Sequence, residues 1–341
     1  MPRSAFVRDL INKESSLQPD QYGKEMDVAI SYIVAMQEHA GLDIVSDGEW
    51  RRKSYIGVIA ELAHGIETST NPTDGRPWTI IVDKLEPKRP GFIADEITFL
   101  RTITSRKIKA TLPAPALLAE RMWDDERSSA AYPTREDFVL DCIPILRREL
   151  ELIVEAGADV IQIDDPYLCL FVDPGVRGRY ENPTKASDFA VDAVNQIVDG
   201  IQGATIAVHL CRRAGARSRG ESRFEGGYDP ILNQLNNLKV DQLLMEFATP
   251  QAGDVSVLRR LRENVEIGVG CVDVTPSKID PPELIVDRIK MVLGHITPER
   301  ITLNPDCGFA PGSGAIVSID ESFQKLSNEV TAAQMLRDIY S

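Results

Sequence analysis

The chain has 341 residues, of which 43% are hydrophobic and 26% are charged, an ordinary balance for a globular protein with enough length for a large core. Its formal net charge of −14, from 52 acidic and 38 basic residues, argues against a nucleic-acid-binding protein. No segment is apolar and long enough to span a bilayer, and no secretory signal follows residue 1. The five scattered cysteines favour free thiols in a reducing compartment, so we expect a cytoplasmic protein.

The first hundred residues mix helical and β-like patterns. Apolar residues at helical spacing predict helices at 5–15 and 22–40. Two β-like segments, 79–82 and 96–100, are interpreted as an inserted β-hairpin near 79–100.

Beyond the predicted hairpin the pattern becomes regular, with short apolar strands alternating with helices. Further helices are predicted at about 135–155, 184–201, 229–237, 254–263, 282–296 and 320–339. The core strands number seven, and they are centred near residues 44, 109, 161, 206, 243, 267 and 302.

This alternation predicts parallel βαβ units. Polar clusters follow the strands at their carboxyl ends, where α/β barrels carry their active sites. We therefore predict an α/β fold, a (β/α)8 TIM barrel that forms one domain over residues 1–341. A doubly wound open sheet is the alternative, but the G-x-G-x-x-G loop that usually opens one does not occur. A barrel needs eight strands, so either the first strand is short or missing from this sequence, or the inserted hairpin takes its place.

The strongest candidate site lies at three of these strand ends. His209 and Cys211, two positions apart at the exit of one strand, project to the same side. Glu246 ends the next strand, and Cys307 follows the last one. Imidazole, thiolate and carboxylate are all zinc ligands, so we predict a Zn²⁺ site that activates a thiol. The alternative is that the cysteines and the histidine only pack in the core.

Two carboxylates occupy other strand exits. Asp164 precedes Asp165 and Pro166 after an apolar strand, and it either holds a substrate amino group or belongs to a turn or helix cap. Glu49 follows Gly48, which permits a sharp turn that re-aims the Glu49 side chain, so Glu49 is a second candidate carboxylate at a strand exit. The alternative to a role in the site is a surface ion pair with Arg51 or Arg52.

A basic loop at 212–220 comes directly after the predicted zinc ligands. It either receives an anionic part of a substrate or donor, or is simply solvated.

These motifs resemble the catalytic domain of cobalamin-independent methionine synthase and its single-domain relatives. That family has H-x-C on one strand, Glu on the next and Cys in N-P-D-C-G on the last, together with G-E and I-Q-I-D-E-P segments. The similarity is collinear over about residues 40–340. The residues that carry it here are His209-Leu210-Cys211, Glu246, Asn304-Pro305-Asp306-Cys307-Gly308, Gly48-Glu49 and Ile161-Gln162-Ile163-Asp164-Asp165-Pro166.

The resemblance implies a (β/α)8 barrel with a catalytic zinc and with homocysteine, or a similar small thiol, as methyl acceptor. It also implies that Asp164 and Glu49 hold the amino group of the acceptor.

The sequence departs from the family at four places. It has no room for the second, N-terminal barrel of the classical enzyme, and it lacks the first strand, whose Gly-Ser holds the substrate carboxylate. Asp165 replaces the glutamate of D-E-P, and Thr275 replaces the histidine thought to help deliver a proton to the folate donor. The loss of this histidine weakens the case for a folate donor, and single-domain relatives are thought to take the methyl group from a corrinoid. The methyl donor is therefore expected to be a folate or a corrinoid, the latter free or carried by a corrinoid protein.

The sequence thus leads to a zinc-dependent methyltransferase that converts homocysteine to methionine. One alternative is alkyl transfer to another thiol, such as coenzyme M opening an epoxide, with Arg212 or Arg213 binding the sulfonate. The other is a non-catalytic barrel that binds zinc or thiols.

Overall fold

The computed structural model describes residues 1–70, 77–212, 224–309 and 317–340. Within these ranges the strands are β1 Ile44–Val45, β2 Ala63–Thr70, β3 Pro77–Pro87, β4 Lys107–Pro113, β5 Val160–Asp164, β6 Thr205–Leu210, β7 Gln242–Glu246, β8 Glu266–Val272 and β9 Ile301–Pro305. The α-helices are α1 Ala5–Asn12, α2 Pro19–Ala40, α3 Ile59–Leu62, α4 Phe92–Ile103, α5 Pro115–Met122, α6 Arg135–Glu155, α7 Pro166–Leu170, α8 Pro174–Arg177, α9 Pro183–Val198, α10 Leu232–Asn237, α11 Pro282–Leu293 and α12 Ile319–Tyr340.

Seven strands form one parallel sheet in the order β1-β4-β5-β6-β7-β8-β9. Each neighbouring pair is parallel, as expected when helices make the crossover connections. The seven core strands predicted from the alternation of segments are all confirmed. In the described ranges β1 and β9 each pair on one side only, so an eighth strand is not among the described residues.

The inserted hairpin exists, but its predicted bounds are wrong. Strand β3 pairs antiparallel with β2, which precedes it, in a separate two-stranded sheet. The segment 96–100, predicted to be the second strand near 79–100, lies inside helix α4. Because β2 and β3 pair only with each other in the described ranges, the hairpin does not take the place of an eighth barrel strand there.

Helix α4 forms although its sequence contains β-branched and aromatic residues. Ile93, Ile97 and Leu100 recur at helical spacing and are buried in the main core. The buried carboxylate of Glu149 accepts backbone hydrogen bonds from Gly91, Ile93 and Ala94, at 2.5, 2.6 and 3.2 Å, which satisfies the start of the helix. Glu149 lies far along the chain, so tertiary contacts override local β propensity here.

The other helices agree closely with their sequence signals. Helix α2 begins at Pro19, earlier than the predicted residue 22, and ends at Ala40; the φ of 93° at Gly41, its C-cap, is the left-handed conformation typical of a helix C-terminus. Thr134 and Asp137 form a capping box at the start of α6. The helix predicted at 254–263 is a 3₁₀ helix over Val255–Arg260. None of the helices described is both long and apolar enough to cross a bilayer.

A small apolar cluster, separate from the main core, lies on the inner face of the sheet. It consists of Val160, Ala207 and Leu244, with Ile44 packed against them. These residues lie on β5, β6, β7 and β1, and inward-facing side chains of this kind fill the interior of α/β barrels.

Lys109 and the buried Glu329 lie within electrostatic range of each other. Lys109 on β4 donates to Gln162 Oε1 at 3.0 Å, and Gln162 donates to Asp164 Oδ1 at 2.7 Å. Glu329 on α12 is only 4% exposed, and its Oε2 has no hydrogen-bond partner in the described structure. Burial raises the pKa of Glu329 to about 8, although the positive charge of Lys109 opposes the shift.

We expect Glu329→Gln to stabilise the protein at alkaline pH. Because the pKa of Glu329 is raised from 4.5 to about 8, the native state keeps a proton in this window that the unfolded chain has lost. The contribution of Glu329 to stability therefore falls as the pH rises through the window. The Tm of the variant should exceed that of the wild type by roughly 2–5 °C at pH 9, and the two should agree within about 1 °C at pH 4.

A matched control is Asp338→Asn, which changes an exposed carboxylate on the same helix. Its effect on Tm should not vary with pH between 4 and 9. A Glu329→Gln profile parallel to that of the wild type would contradict the assignment of a buried, protonated carboxyl.

Candidate metal and substrate site

Three of the four predicted metal ligands lie together at the carboxyl end of the sheet. They are His209 near the end of β6, Cys211 just beyond it, and Cys307 two residues after β9. One ligand atom from each lies within 4.8 Å of the other two, and the two Sγ atoms are 3.5 Å apart. His209 and Cys211 are buried, and Cys307 is partly buried. The packing of strands 96 residues apart in the chain thus creates a compact group of one imidazole and two thiols.

The position of Cys307 depends on its neighbour Asp306. The Asp306 Oδ1 accepts hydrogen bonds from the backbone N–H groups of Phe247 and Ala248, both at 3.0 Å. The backbone N–H of Asp306 donates to the Val272 carbonyl at 3.0 Å. The segment after β9 is therefore tied to the ends of β7 and β8, which holds Cys307 beside Cys211.

The fourth predicted ligand, Glu246, lies nearby but outside the compact group. It is the last residue of β7 and is 2% exposed. Its Oε2 is 3.5 Å from Arg212 Nη1, while its Oε1 has no hydrogen-bond partner in the described structure. Buried carboxylate oxygens are almost always paired, so this oxygen is free to bind a cation.

The site concentrates groups that interact strongly with one another. Burial lowers the pKa of His209, but its hydrogen bond to Cys211 and the negative charges of Cys211, Asp164 and Glu246 raise it, with a net value of about 9. The hydrogen bond to Cys307, burial and nearby negative charge raise the pKa of Cys211 well above its ordinary range. Thiolates would be stable here beside a cation, which is the usual situation of cysteine ligands at a metal.

Arg212 fits neither interpretation that the sequence left open for the loop at 212–220, anion binding or a solvated loop. It is 4% exposed and lies 4.2 Å from the Tyr228 ring centroid. It donates to the Tyr228 hydroxyl at 2.8 Å and to the Gly226 and Ala252 carbonyls at 2.8 and 3.2 Å. The prediction is wrong for Arg212 because internal acceptors occupy its guanidinium, and 213–220 lies outside the described residues.

Asp164 and Asp165 have different roles, although they are adjacent. Asp165 accepts from the Leu168 N–H at 2.9 Å and caps helix α7, so the helix-cap interpretation holds for Asp165. Asp164 is paired in register with His209 on the next strand. Burial raises the pKa of Asp164 to about 6, with the positive charge of His209 opposing and the negative charge of Glu49 adding to the shift. Asp164 therefore lies within electrostatic range of both His209 and Glu49.

Glu49 is held in an unusual conformation in the loop after β1. Its φ of 58° is left-handed, and its backbone N–H donates to Asp47 Oδ1 at 2.9 Å. Its Oε1 is 3.3 Å from Arg52 Nη1 and accepts a hydrogen bond from Thr111 Oγ1. The Arg52 side chain is only 2% exposed, so the contact is not the surface ion pair considered as an alternative.

The sequence identified Arg52 only as a candidate surface partner of Glu49, and it did not identify Thr111. Arg52 bridges Glu96 and Glu49, and Thr111 contacts both Arg52 and Glu49. Thr111 belongs to no motif, so no local signal could have found it.

The sequence did contain a signal for Gly270, because a glycine inside a strand often marks a place where two backbone segments approach closely. A Cβ atom there would lie 2.5 Å from Asp306 Oδ1 and 3.0 Å from Glu246 Cα. Gly270 therefore allows the end of β7 and the segment before Cys307 to approach each other.

The chain is similar to known proteins over nearly its full length. The family model of the cobalamin-independent synthase catalytic domain matches residues 2–335. The methionine synthases of Sulfurisphaera tokodaii and Saccharolobus solfataricus are 26% and 27% identical to it, covering 99% of this chain and 90% and 92% of their own lengths.

Two solved structures share the fold. The B12-independent methionine synthase from Shewanella sp. W3-18-1, in complex with selenomethionine, has a TM-score of 0.78 and 21% identity, and the alignment covers 94% of this chain and 90% of that one. The putative vitamin-B12 independent methionine synthase from Listeria monocytogenes has a TM-score of 0.74 and 22% identity, with 98% and 95% coverage. At these identities the structures confirm the predicted barrel fold. The match of the family model to residues 2–335 establishes that the chain belongs to the cobalamin-independent synthase catalytic-domain family, a family of methyltransferases.

Proposed function

We propose that the protein is a zinc-dependent methyltransferase that transfers a methyl group to homocysteine and forms methionine. The observation that carries this proposal is the compact group formed by His209, Cys211 and Cys307, with Asp164 paired beside His209 in the sheet and Glu49 within electrostatic range of Asp164. The two named relatives are both methionine synthases, which supports the same reaction in this chain.

The available side chains suit a zinc ion. Two thiols, one imidazole and the unpartnered Glu246 oxygen make four ligand atoms, the number and types preferred by Zn²⁺. His209, Cys211 and Cys307 would hold the ion, and Glu246, whose Oε1 has no hydrogen-bond partner in the described structure, would complete the set. A bound zinc would lower the pKa of the acceptor thiol, so that its sulfur is ionised and nucleophilic at neutral pH.

Asp164 and Glu49 would orient the acceptor. Both are carboxylates, so both attract the ammonium group of an amino acid and repel a second anion. Asp164 lies beside His209 in the sheet, so an amino group bound by Asp164 would lie next to the proposed metal. An acceptor held at both its sulfur and its amino group has little freedom left, and such positioning is a major source of rate enhancement.

A sulfonate-bearing thiol such as coenzyme M fits this arrangement less well. It offers no ammonium group to Asp164 or Glu49, and its sulfonate needs a cation. Arg212, a proposed cation for this role, is buried and donates to Tyr228, Gly226 and Ala252 instead. The contacts of the described residues therefore favour homocysteine.

The loop that carries Thr275 bears on the methyl donor. The Asp273 carboxylate accepts from the Thr275 backbone N–H at 2.9 Å and from Lys278 Nζ at 2.7 Å. No histidine takes part in these contacts, so the group expected to assist proton delivery to a folate is replaced. Of the two donors implied by the family, a folate and a corrinoid, this favours the corrinoid, because its methyl transfer requires no such proton.

The zinc site is tested by metal analysis of the purified protein. We expect about one zinc per chain, and Cys211→Ser or Cys307→Ser should weaken zinc binding by roughly 100-fold or more, since each removes a ligand. Cys142→Ser is the matched control, because Cys142 packs on helix α6 within the main core. Zinc retained unchanged in Cys211→Ser would rule out the proposed ligand set, and a wild type that binds no zinc would rule out both enzyme proposals.

The acceptor and donor are tested by product formation. Zinc-loaded protein should form methionine from homocysteine, and methylcobalamin should support a rate at least about tenfold higher than methyltetrahydrofolate under matched conditions. Coenzyme M should be a poor acceptor with either donor. A higher rate with methyltetrahydrofolate would overturn the argument from Thr275, and preference for coenzyme M would overturn the assignment of homocysteine.

A further inference from the structure

We infer that Arg52 and Thr111 are positioning residues that aim the Glu49 carboxylate, and that they thereby set the preference for a thiol that carries an amino group. This inference rests on the proposed function, in which Glu49 binds the ammonium group of the acceptor.

The backbone of Glu49 does not by itself define where its carboxylate points. Glu49 lies in a loop with a left-handed φ of 58°, a conformation that few side chains favour. Hydrogen bonds hold this backbone at both ends: Asp47 Oδ1 accepts from the Glu49 N–H at 2.9 Å, and Arg3 donates to the Glu49 carbonyl at 2.9 Å. The side chain still has several rotatable bonds, so a second set of contacts must orient its carboxylate.

Arg52 supplies one of these contacts from a fixed direction. Its Nη2 is 2.7 Å from Glu96 Oε2, and its Nε lies 3.1 Å from both Glu96 oxygens. These bonds fix the plane of the guanidinium, because Arg52 and Glu96 are both about 98% buried. The remaining nitrogen, Nη1, then lies 3.3 Å from Glu49 Oε1.

Thr111 fixes the same oxygen from the barrel wall. Its hydroxyl bonds to Glu49 Oε1, while Arg52 Nη1 contacts the Thr111 hydroxyl and carbonyl at 2.9 and 3.0 Å. Thr111 lies on β4, two residues before Pro113, which is paired with Asp164 on β5. The two carboxylates proposed to bind the ammonium group are therefore anchored to adjacent strands.

The arrangement is asymmetric with respect to the Glu49 carboxylate. Both Arg52 and Thr111 contact Oε1, whereas among the described residues no hydrogen bond reaches Oε2. The Glu49 side chain is 28% exposed, so a ligand can reach it. One oxygen thus orients the group, and the other is left for the ammonium of the acceptor.

The test compares two thiols that differ only in the amino group. Dissociation constants of homocysteine and of its des-amino analogue, 4-mercaptobutanoate, are measured by calorimetry on zinc-loaded protein without a methyl donor. The wild type should bind homocysteine more tightly. Thr111→Val, which removes the hydroxyl at nearly constant volume, should reduce this preference about tenfold. Thr111→Ser, which keeps a hydroxyl, should retain the preference.

Arg52→Lys provides a second variant, because lysine keeps the charge but cannot bond Glu96 and Glu49 in the same fork. It should also reduce the preference about tenfold. Arg89→Lys is the matched control: Arg89 pairs with Asp95, the residue before Glu96 on the same helix, but both partners are exposed. It should leave the preference unchanged. In a Glu49→Gln background, Thr111→Val should have no further effect on the preference.

The outcomes separate the two proposals. If the wild type prefers homocysteine and Thr111→Val and Arg52→Lys keep that preference, the positioning inference is wrong and the proposed function stands. A loss of affinity for both thiols to the same extent would also overturn it, since a merely structural role predicts that result. A wild type that binds zinc but does not distinguish the two thiols would refute both the role of Glu49 and the inference that depends on it.

Discussion

The hydrogen bonds from Phe247 and Ala248 to the Asp306 carboxylate are the contacts on which the rest of the site depends. They join the segments that follow β7 and β9, and so they hold Cys307 next to the strand end that carries Cys211. Parallel strands in register make this possible, because all their carboxyl ends lie at one edge of the sheet. Gly270 lets the joined segments approach, since any larger residue would collide with Asp306.

Burial of charge is the second constraint on this edge of the sheet. Arg52 with Glu96 and Arg212 with Glu246 are ion pairs in which every side chain is at most 3% exposed. Removing one partner of such a pair typically costs about 3–5 kcal/mol, because the other charge stays buried. The pairs therefore resist substitution. Arg52 also contacts Glu49, the carboxylate proposed to bind the substrate, and Arg212 contacts Glu246, the proposed metal ligand.

Much of the fold could be predicted because the signals are local and repeat along the chain. Alternating apolar strands and helices predicted the seven core strands, and the predicted end of helix α2 at residue 40 was correct. The prediction failed at 96–100, where β-branched residues suggested a strand. Helix α4 forms there because Glu149, more than 50 residues away, satisfies its first N–H groups. A contact of that sequence separation leaves no local pattern.

The candidate site, like the fold, could be predicted from the sequence only where the signal is local. The sequence alone determined the family resemblance, the metal-binding residue types and their places at strand ends, because strand period and strand order dictate which residues share an edge. Only the tertiary structure decided that His209, Cys211 and Cys307 form a compact group, that Arg212 is an internal residue, and that Arg52 reaches Glu49. Those facts depend on side-chain packing between distant segments, and packing geometry is specified by the whole fold and by no single stretch of sequence.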